Sequence, residues 1–176
     1  MQLPHTAGLV NLMEVFTAIA DGRFVVLLFI VLALVSSYRN AIILLMGFLL
    51  SGLLVQGLKN TVFTDVARPV KWFKQQEIPL EVPAELKPHE NRSFPSGHSA
   101  TAAALMTFLA FRSRNLFITV LCLAGLLIVP YTRVYLFHHF PEDLAAGIFL
   151  GLISQLVVEY LTLGKLIKLE RRLIRR

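Results

Sequence analysis

The 176-residue sequence contains a single cysteine, Cys122, and only 16% of its residues are charged. One cysteine excludes an internal disulfide and any zinc site built from several thiolates. Soluble domains carry about 25% charged residues, so this chain has too few charges to cover a globular surface. It also lacks a glycine-rich nucleotide loop, a His-x-x-x-His pair and internal repeats. These absences exclude a disulfide scaffold, a disordered tail and a typical cytosolic enzyme.

Hydrophobic residues make up 56% of the chain, and they are gathered in long stretches with few charges. A transmembrane helix needs about 20 mostly apolar residues. Five segments approach this length: 24–35, which spans only if residues 36–38 continue it, and 41–58, 99–111, 116–129 and 144–163. We therefore predict an all-α, polytopic transmembrane helical bundle that forms one membrane-embedded domain over residues 1–176. The net charge of +6 then reflects membrane topology rather than nucleic-acid binding.

The segment 9–20 is less hydrophobic, because it contains Asn11 and Glu14 and is followed by Asp21. We predict an N-terminal helix that lies at the membrane interface. A sixth span is the alternative. No Lys or Arg precedes Arg23, so a cleaved signal peptide is not expected.

The basic residues indicate the orientation of the five spans. One side receives nine of the 17 basic residues but only two of the 11 acidic ones. The positive-inside rule places that side in the cytoplasm, with residues 165–176 as an amphipathic basic tail on the membrane. The segment 63–97 and the turn 130–141 then face outward. The segment 63–97 holds five of the eight prolines, and a loop of this length is usually either functional or disordered.

Two motifs at the outward ends of the predicted helices carry polar chemistry. In Ser96-Gly97-His98, Ser96 is placed to cap a helix. The free N–H groups of the first turn would then bind an anion, with Gly97 leaving room for it. A helix cap with no ligand is the alternative interpretation.

The second motif contains Arg133, His139 and Asp143, with Pro141 suited to the first position of the last helix. Asp143 could accept a hydrogen bond from His139 and leave the other ring nitrogen free as a nucleophile or base. Alternatively, Asp143 only caps the helix and His139 is an interfacial polar residue. We interpret the neighbouring His138 as structural.

Lys59 and Arg68 add two cations at the same predicted side of the membrane. Arginine binds phosphate oxygens bidentately and lysine adds a point charge. Together with two histidines and a helix N-terminus, these groups suit phosphoryl transfer without a metal. We expect no metal and no cofactor.

These residues resemble the three-part signature of the type-2 phosphatidic acid phosphatase superfamily, which reads Lys-x6-Arg-Pro, Pro-Ser-Gly-His and Ser-Arg-x5-His-x3-Asp. The second part is complete at residues 95–98, and the third is present with Thr132 in place of serine. In the first part, eight residues rather than six separate Lys59 from Arg68. A continuous helix would put the two on opposite faces, so we expect the helix to end or bend between them, near residues 64–65.

The resemblance implies a role for each matching residue. His139 would be the nucleophile that forms a phosphohistidine, Asp143 would orient it, and His98 would be the general acid. The phosphate would be held by the remaining matching residues, which are Lys59, Arg68, Ser96, Gly97 and Arg133.

The resemblance also implies a lipid phosphate as substrate, at the periplasmic face of a bacterial inner membrane. The compact size and the basic, aromatic outward segment look most like lipid A 1-phosphatases. Phosphatidylglycerophosphate and undecaprenyl pyrophosphate are the alternatives. Arg92, Lys71 and Lys74 could meet further headgroup charges or simply be solvated, and Trp72 and Phe73 suit the headgroup level. A non-enzymatic lipid-binding or transport protein is the rival from another functional class.

Overall fold

The computed structural model describes residues 5–83, 86 and 89–174, and beyond residue 163 it describes only the backbone. Within these residues the chain forms seven α-helices and no strand, which confirms the all-α prediction. The helices are α1 (Ala7–Ala18), α2 (Gly22–Val35), α3 (Tyr38–Thr61), α4 (Pro69–Gln75), α5 (Gly97–Arg112), α6 (Leu116–Tyr135) and α7 (Pro141–Ile174).

Three helices are long and apolar enough to cross a membrane: α3, α6 and the Pro141–Leu163 part of α7. They correspond to the predicted segments 41–58, 116–129 and 144–163. Helices α1 and α2 pass the same test only as a pair bent by 46°, which would make a fourth span. Length and composition alone therefore identify three or four spans and do not establish the predicted five. Helix α2 ends at Val35 instead of continuing through residues 36–38, and α5 has only 16 residues.

Helix α6 is longer than predicted. It continues through Pro130 to Tyr135, whereas the sequence placed an outward turn from residue 130 onward. A proline inside a helix removes one backbone hydrogen bond, but packing in a transmembrane bundle tolerates this loss. As a result, Arg133 lies on the last turn of α6 and not in a loop.

Helix α5 is the central helix and packs against α3, α6 and α7. Its buried positions are mainly small residues, among them Ala100, Ala102, Ala103 and Ala104. Opposite them, α7 places Gly147 and Gly151, where a Cβ would lie 2.3 Å from the carbonyl oxygen of Ser96 and 2.1 Å from that of Ala100. The two backbones can approach this closely only because both positions are glycine.

The two ends of the bundle are defined by polar contacts between the helices. At one end the backbone N–H of Ser96 donates to the carbonyl of Asp143 at 2.9 Å. At the other end Arg112 forms an ion pair with Glu159 and its Nε donates to Asn40 at 3.3 Å. Helices α5 and α7 thus run parallel over the same depth, and α3 runs antiparallel to them from Asn40 toward Lys59.

The candidate site residues lie at the Ser96 end, which is partly covered by α1 and by the segment after α3. Val10 of α1 packs with Tyr135 and Leu136, and Ala20 packs with Ala102 and Val129. The segment 63–97 was predicted as a loop, but it contains the short helix α4, which Pro69 begins. Within it, residues 84, 85, 87 and 88 lie outside the described part of the chain. The side chains of the predicted basic tail, residues 165–176, lie outside it as well.

Candidate active site

His139 and Asp143 form the buried centre of the site. His139 lies in the turn after α6 and Asp143 in the first turn of α7. Their Nδ1 and Oδ2 atoms are 3.3 Å apart, and each residue is only 2% exposed. The same carboxylate oxygen accepts the backbone N–H of Phe140 at 2.9 Å. The Asp143 carboxylate therefore caps the start of α7 and also contacts the His139 imidazole. Capping the helix and orienting His139, the two roles considered for Asp143, are thus compatible.

Ser93 is a member of this centre that the sequence did not indicate. Its hydroxyl donates to Oδ2 of Asp143 at 2.5 Å and lies 3.4 Å from Nδ1 of His139. The side chain is completely buried, and the Ser93 backbone N–H is held by the carbonyl of Val66 at 3.0 Å. Fifty positions separate Ser93 from Asp143, so only the folded chain brings the two together.

The N-terminus of α5 lies directly beside this centre. As predicted, Ser96 caps the helix, and its Oγ accepts the Ser99 N–H at 3.4 Å and the Ser99 hydroxyl at 2.9 Å. The hydrogen bond from Ser96 N–H to the Asp143 carbonyl fixes this cap to α7. Gly97 adds no side chain over the first turn, and a Cβ there would approach only Val55, at 3.8 Å.

Three buried cations surround the centre: Lys59, Arg68 and Arg133. Arg68 is held from two sides, because its Nε donates to the carbonyl of Asn91 at 3.0 Å and its Nη1 to the carbonyl of His138 at 3.3 Å. Burial lowers the pKa of Arg68, and the negative charge of Asp143 opposes this shift. An arginine oriented in this way is prepared to bind an anion without further rearrangement.

Arg133 is oriented by a residue of the N-terminal helix. Its Nη1 donates to the hydroxyl of Thr17 in α1 at 3.0 Å. Its Nε is buried and has no hydrogen-bond partner among the described residues. A buried donor without a partner is costly, and an oxyanion at this position would satisfy it.

Lys59 reaches the same cluster in spite of the longer spacing to Arg68. Helix α3 ends at Thr61, between the two residues, as the spacing required and slightly earlier than expected. Lys59 lies on the last turn of α3, is 7% exposed, and interacts electrostatically with Arg68, Arg133 and Asp143. The structure thus brings all three cations of the signature to one place.

His98 lies on the first turn of α5. It interacts electrostatically with Arg133, His139, Arg68 and Asp21. It also lines a cavity of about 420 Å³ between the α1–α2 turn, α3 and α5. A second cavity, of about 530 Å³, is lined by His139, α4 and residues 78–80. No residue lines both cavities.

Two histidines in the turn after α6 are neutral at ordinary pH. Burial lowers the pKa of His139 to about 4, and the hydrogen bond to Asp143 opposes this shift only in part. Burial also lowers the pKa of His138 to about 3, and its Nδ1 finds no hydrogen-bond partner among the described residues. A neutral imidazole retains a lone pair, so His139 can act as a nucleophile.

The residues suggested for further headgroup contacts are more scattered. The Nζ of Lys71 donates a hydrogen bond to Oδ1 of Asn91 at 2.6 Å. Lys74 is exposed on α4. The side chain of Arg92 is exposed and its backbone is in the left-handed region, with φ 58°. Its positive charge nevertheless interacts electrostatically with Lys59. Over the described part of the chain, no three His, Cys, Asp or Glu residues are grouped to hold a metal ion.

The site as a whole combines a neutral, oriented imidazole with three buried cations and a helix N-terminus. Such a set of donors stabilises the negative charge that develops when a phosphate oxyanion is attacked. The second imidazole, His98, is available as a proton donor or acceptor. The arrangement is therefore suited to transfer of a phosphoryl group through a covalent intermediate on His139.

Comparison with known proteins gives a consistent result. The sequence matches the PAP2 superfamily over residues 40–165. The fold is similar to the crystal structure of LpxE from Aquifex aeolicus, with a TM-score of 0.73 and 26% sequence identity. That match covers 89% of this chain and 88% of the other.

A second solved structure has a similar fold at lower identity. It is the crystal structure of a transmembrane PAP2 type phosphatidylglycerolphosphate phosphatase from Bacillus subtilis, with a TM-score of 0.71 and 22% sequence identity. The match covers 91% of this chain and 79% of that one. No curated protein matches the sequence.

Proposed function

This chain belongs to the PAP2 superfamily, and we propose that it is a membrane lipid phosphatase that works through a phosphohistidine on His139. The observation that carries the proposal is the buried His139–Asp143 pair surrounded by three buried cations. One of these, Arg133, presents a buried Nε–H without a partner among the described residues. Each donor to the developing charge typically contributes about 2.7–4 kcal/mol of transition-state stabilisation.

The proposed reaction has two displacement steps. In the first, the Nε2 lone pair of His139 forms a bond to phosphorus and the ester P–O bond breaks. The leaving oxygen takes a proton from His98. In the second, water gives a proton to His98 and attacks phosphorus, and the P–N bond breaks. Inorganic phosphate leaves, and His139 is neutral again.

The phosphate itself would be held by the cations and by the start of α5. Lys59, Arg68 and Arg133 bind its oxygens, while Ser96 and the Gly97 amide add neutral donors. The charge of a bound phosphate dianion also favours the protonated form of His98. Asp143 keeps the Nδ1 side of His139 occupied, so that Nε2 faces phosphorus.

For the substrate, we propose lipid A 1-phosphate. The support is the basic, aromatic segment around Trp72, which resembles lipid A 1-phosphatases, and the similarity of the fold to LpxE from Aquifex aeolicus. The test is phosphate release measured in parallel on lipid A 1-phosphate, phosphatidylglycerophosphate and undecaprenyl pyrophosphate, with and without EDTA. Fastest phosphate release from lipid A 1-phosphate supports this proposal. Fastest release from phosphatidylglycerophosphate or undecaprenyl pyrophosphate would identify that lipid as the substrate instead. Binding of phospholipid by the folded protein without phosphate release would support a non-enzymatic protein instead, and loss of activity in EDTA would indicate a metal enzyme.

We propose five spans for the topology, α2, α3, α5, α6 and α7, in a bacterial inner membrane with the site facing the periplasm. The support is that α5 extends from the site end to the Arg112–Glu159 pair and thus matches α3 and α7 in depth. Single cysteines in a Cys122→Ser background test the topology. An impermeant thiol reagent should label Glu77→Cys in intact spheroplasts and should leave Ser113→Cys unlabelled. The reverse labelling would contradict the orientation.

A further inference from the structure

Two of the cavities that border the site, one lined by His139 and the other by His98, are candidates for the lipid part of the substrate. The cavity of about 530 Å³ is lined by His139 and by groups beyond the end of α6, including Phe73 and Leu80. The cavity of about 420 Å³ is lined by His98 and Gly97 and continues along α3 through Val55, Gly52 and Phe48. Either cavity has room for part of an acyl chain, so volume does not decide between them.

The direction of the displacement reaction distinguishes between the two cavities. In phosphoryl transfer the attacking and leaving atoms lie roughly in line on opposite sides of phosphorus. If His139 is the nucleophile, the leaving oxygen lies away from His139 and toward the group that protonates it, His98. On the basis of the proposed function, we therefore infer that the leaving lipid occupies the cavity lined by His98.

The position of this cavity agrees with a lipid occupant. Val55 lies one turn before Lys59 on α3, so the cavity begins at the phosphate cluster. From Lys59 it follows α3 for eleven residues to Phe48, which corresponds to about 16 Å along the helix. An acyl chain attached to the phosphate would follow the same direction into the membrane.

The cavity also opens toward the bilayer. Leu49 and Leu53 line it and are 49% and 71% exposed on a helix that is long and apolar enough to cross the membrane. Its wall is otherwise small or apolar, with Gly52 as the least filled position, since a Cβ there would meet no atom within 4 Å. A lipid can thus enter sideways from the membrane, and Gln56 supplies a polar contact near the headgroup.

The open space around Gly52 permits a direct test. In the Gly52→Leu variant the new Cβ meets no atom within 4 Å, so we expect the side chain to extend into the cavity, and leucine favours the helix more than glycine does. We expect the KM for the lipid substrate to rise about tenfold or more. The inhibition constant for inorganic vanadate, which occupies the phosphate position without a lipid, should stay within about twofold of the wild-type value.

Gly57→Leu is the matched control. Gly57 lies on the same helix outside the cavity and also has no atom within 4 Å of a Cβ, so both constants should remain unchanged. A second variant, Leu80→Trp, fills the cavity beside His139 and should leave the lipid KM unchanged. The inference is overturned if Gly52→Leu leaves the lipid KM unaltered, if vanadate inhibition weakens by the same factor, or if Leu80→Trp has the larger effect. Absence of phosphate release by the wild-type protein would instead refute the proposed function.

Discussion

Replacing Gly147 with alanine tests whether the close packing of α7 on α5 positions the phosphate site. The added Cβ would lie 2.3 Å from the carbonyl oxygen of Ser96 and 3.0 Å from the Cβ of Ser99. Ordinary contacts begin at 3.4 Å, so the helices must separate by about 1 Å. Overpacking of this kind costs roughly 1–3 kcal/mol of stability. A displacement of about 1 Å at a catalytic group costs about 100-fold in rate.

The assay is kcat for phosphate release in detergent, measured together with the midpoint of thermal unfolding. Gly151→Ala is the matched control, because its Cβ would meet the carbonyl of Ala100 at 2.1 Å, one turn farther from the site. We expect both variants to lower the unfolding midpoint by a similar amount, with the 100-fold loss of kcat confined to Gly147→Ala. Equal losses of kcat in the two variants, or a Gly147→Ala enzyme of nearly normal kcat, would refute the reasoning.

Three further predictions concern the groups around the nucleophile. Ser93→Ala removes a hydrogen bond to the Asp143 carboxylate, and a bond to a charged group contributes about 1.5–3 kcal/mol, so kcat should fall between about tenfold and 100-fold. Thr17→Val removes a hydrogen bond that the charged Arg133 guanidinium donates, and such a bond contributes about 1.5–3 kcal/mol, so the vanadate inhibition constant should rise between about tenfold and 100-fold, with Thr17→Ser restoring it. Because the pKa of His139 is lowered to about 4, the neutral nucleophile persists as the pH falls through 6.5 and is lost only near pH 4. The acid limb of kcat/KM, corrected for titration of the substrate phosphate, should lie there.

The controls for these predictions lie at exposed hydrogen bonds that involve no site residue. Ser113→Ala and Thr61→Val remove hydroxyls that bond only to nearby backbone groups, and both should behave like the wild type. If kcat of Ser93→Ala is unchanged, the Ser93 hydroxyl does not position Asp143. If the vanadate inhibition constant of Thr17→Val is unchanged, the Thr17 hydroxyl does not position Arg133. An acid limb centred near pH 6.5 would contradict the neutral state of the nucleophile.

Much of the site could be predicted because its signals are local in sequence. Ser96 before Gly97 predicts a capped helix, and Pro141 before Asp143 predicts a helix start with an acidic first turn. The structure has both. The anomalous spacing after Lys59 also predicted correctly that α3 ends before Arg68.

The groups that orient the signature residues could not be predicted in this way. Ser93 reaches Asp143, and Thr17 reaches Arg133 across 116 positions, so each contact exists only after the helices pack. Neither residue belongs to a spacing pattern that identifies a partner.

The number of spans does not follow from hydropathy alone, because the protein around a helix also determines its composition. Helix α5 is short and rich in alanine because protein surrounds it, so its composition does not report its position relative to lipid. Pro130 suggested the end of a helix, yet α6 continues past it and carries Arg133 into the site.

The central claim is that phosphate is transferred to His139. The most direct measurement is mass spectrometry of the peptide containing His139 after turnover is quenched at alkaline pH, where a phosphohistidine is stable. The wild-type protein should carry phosphate on His139, and folded His139→Ala should carry none and release no phosphate. Near-normal turnover by His139→Ala, or covalent phosphate on another residue, would contradict the account.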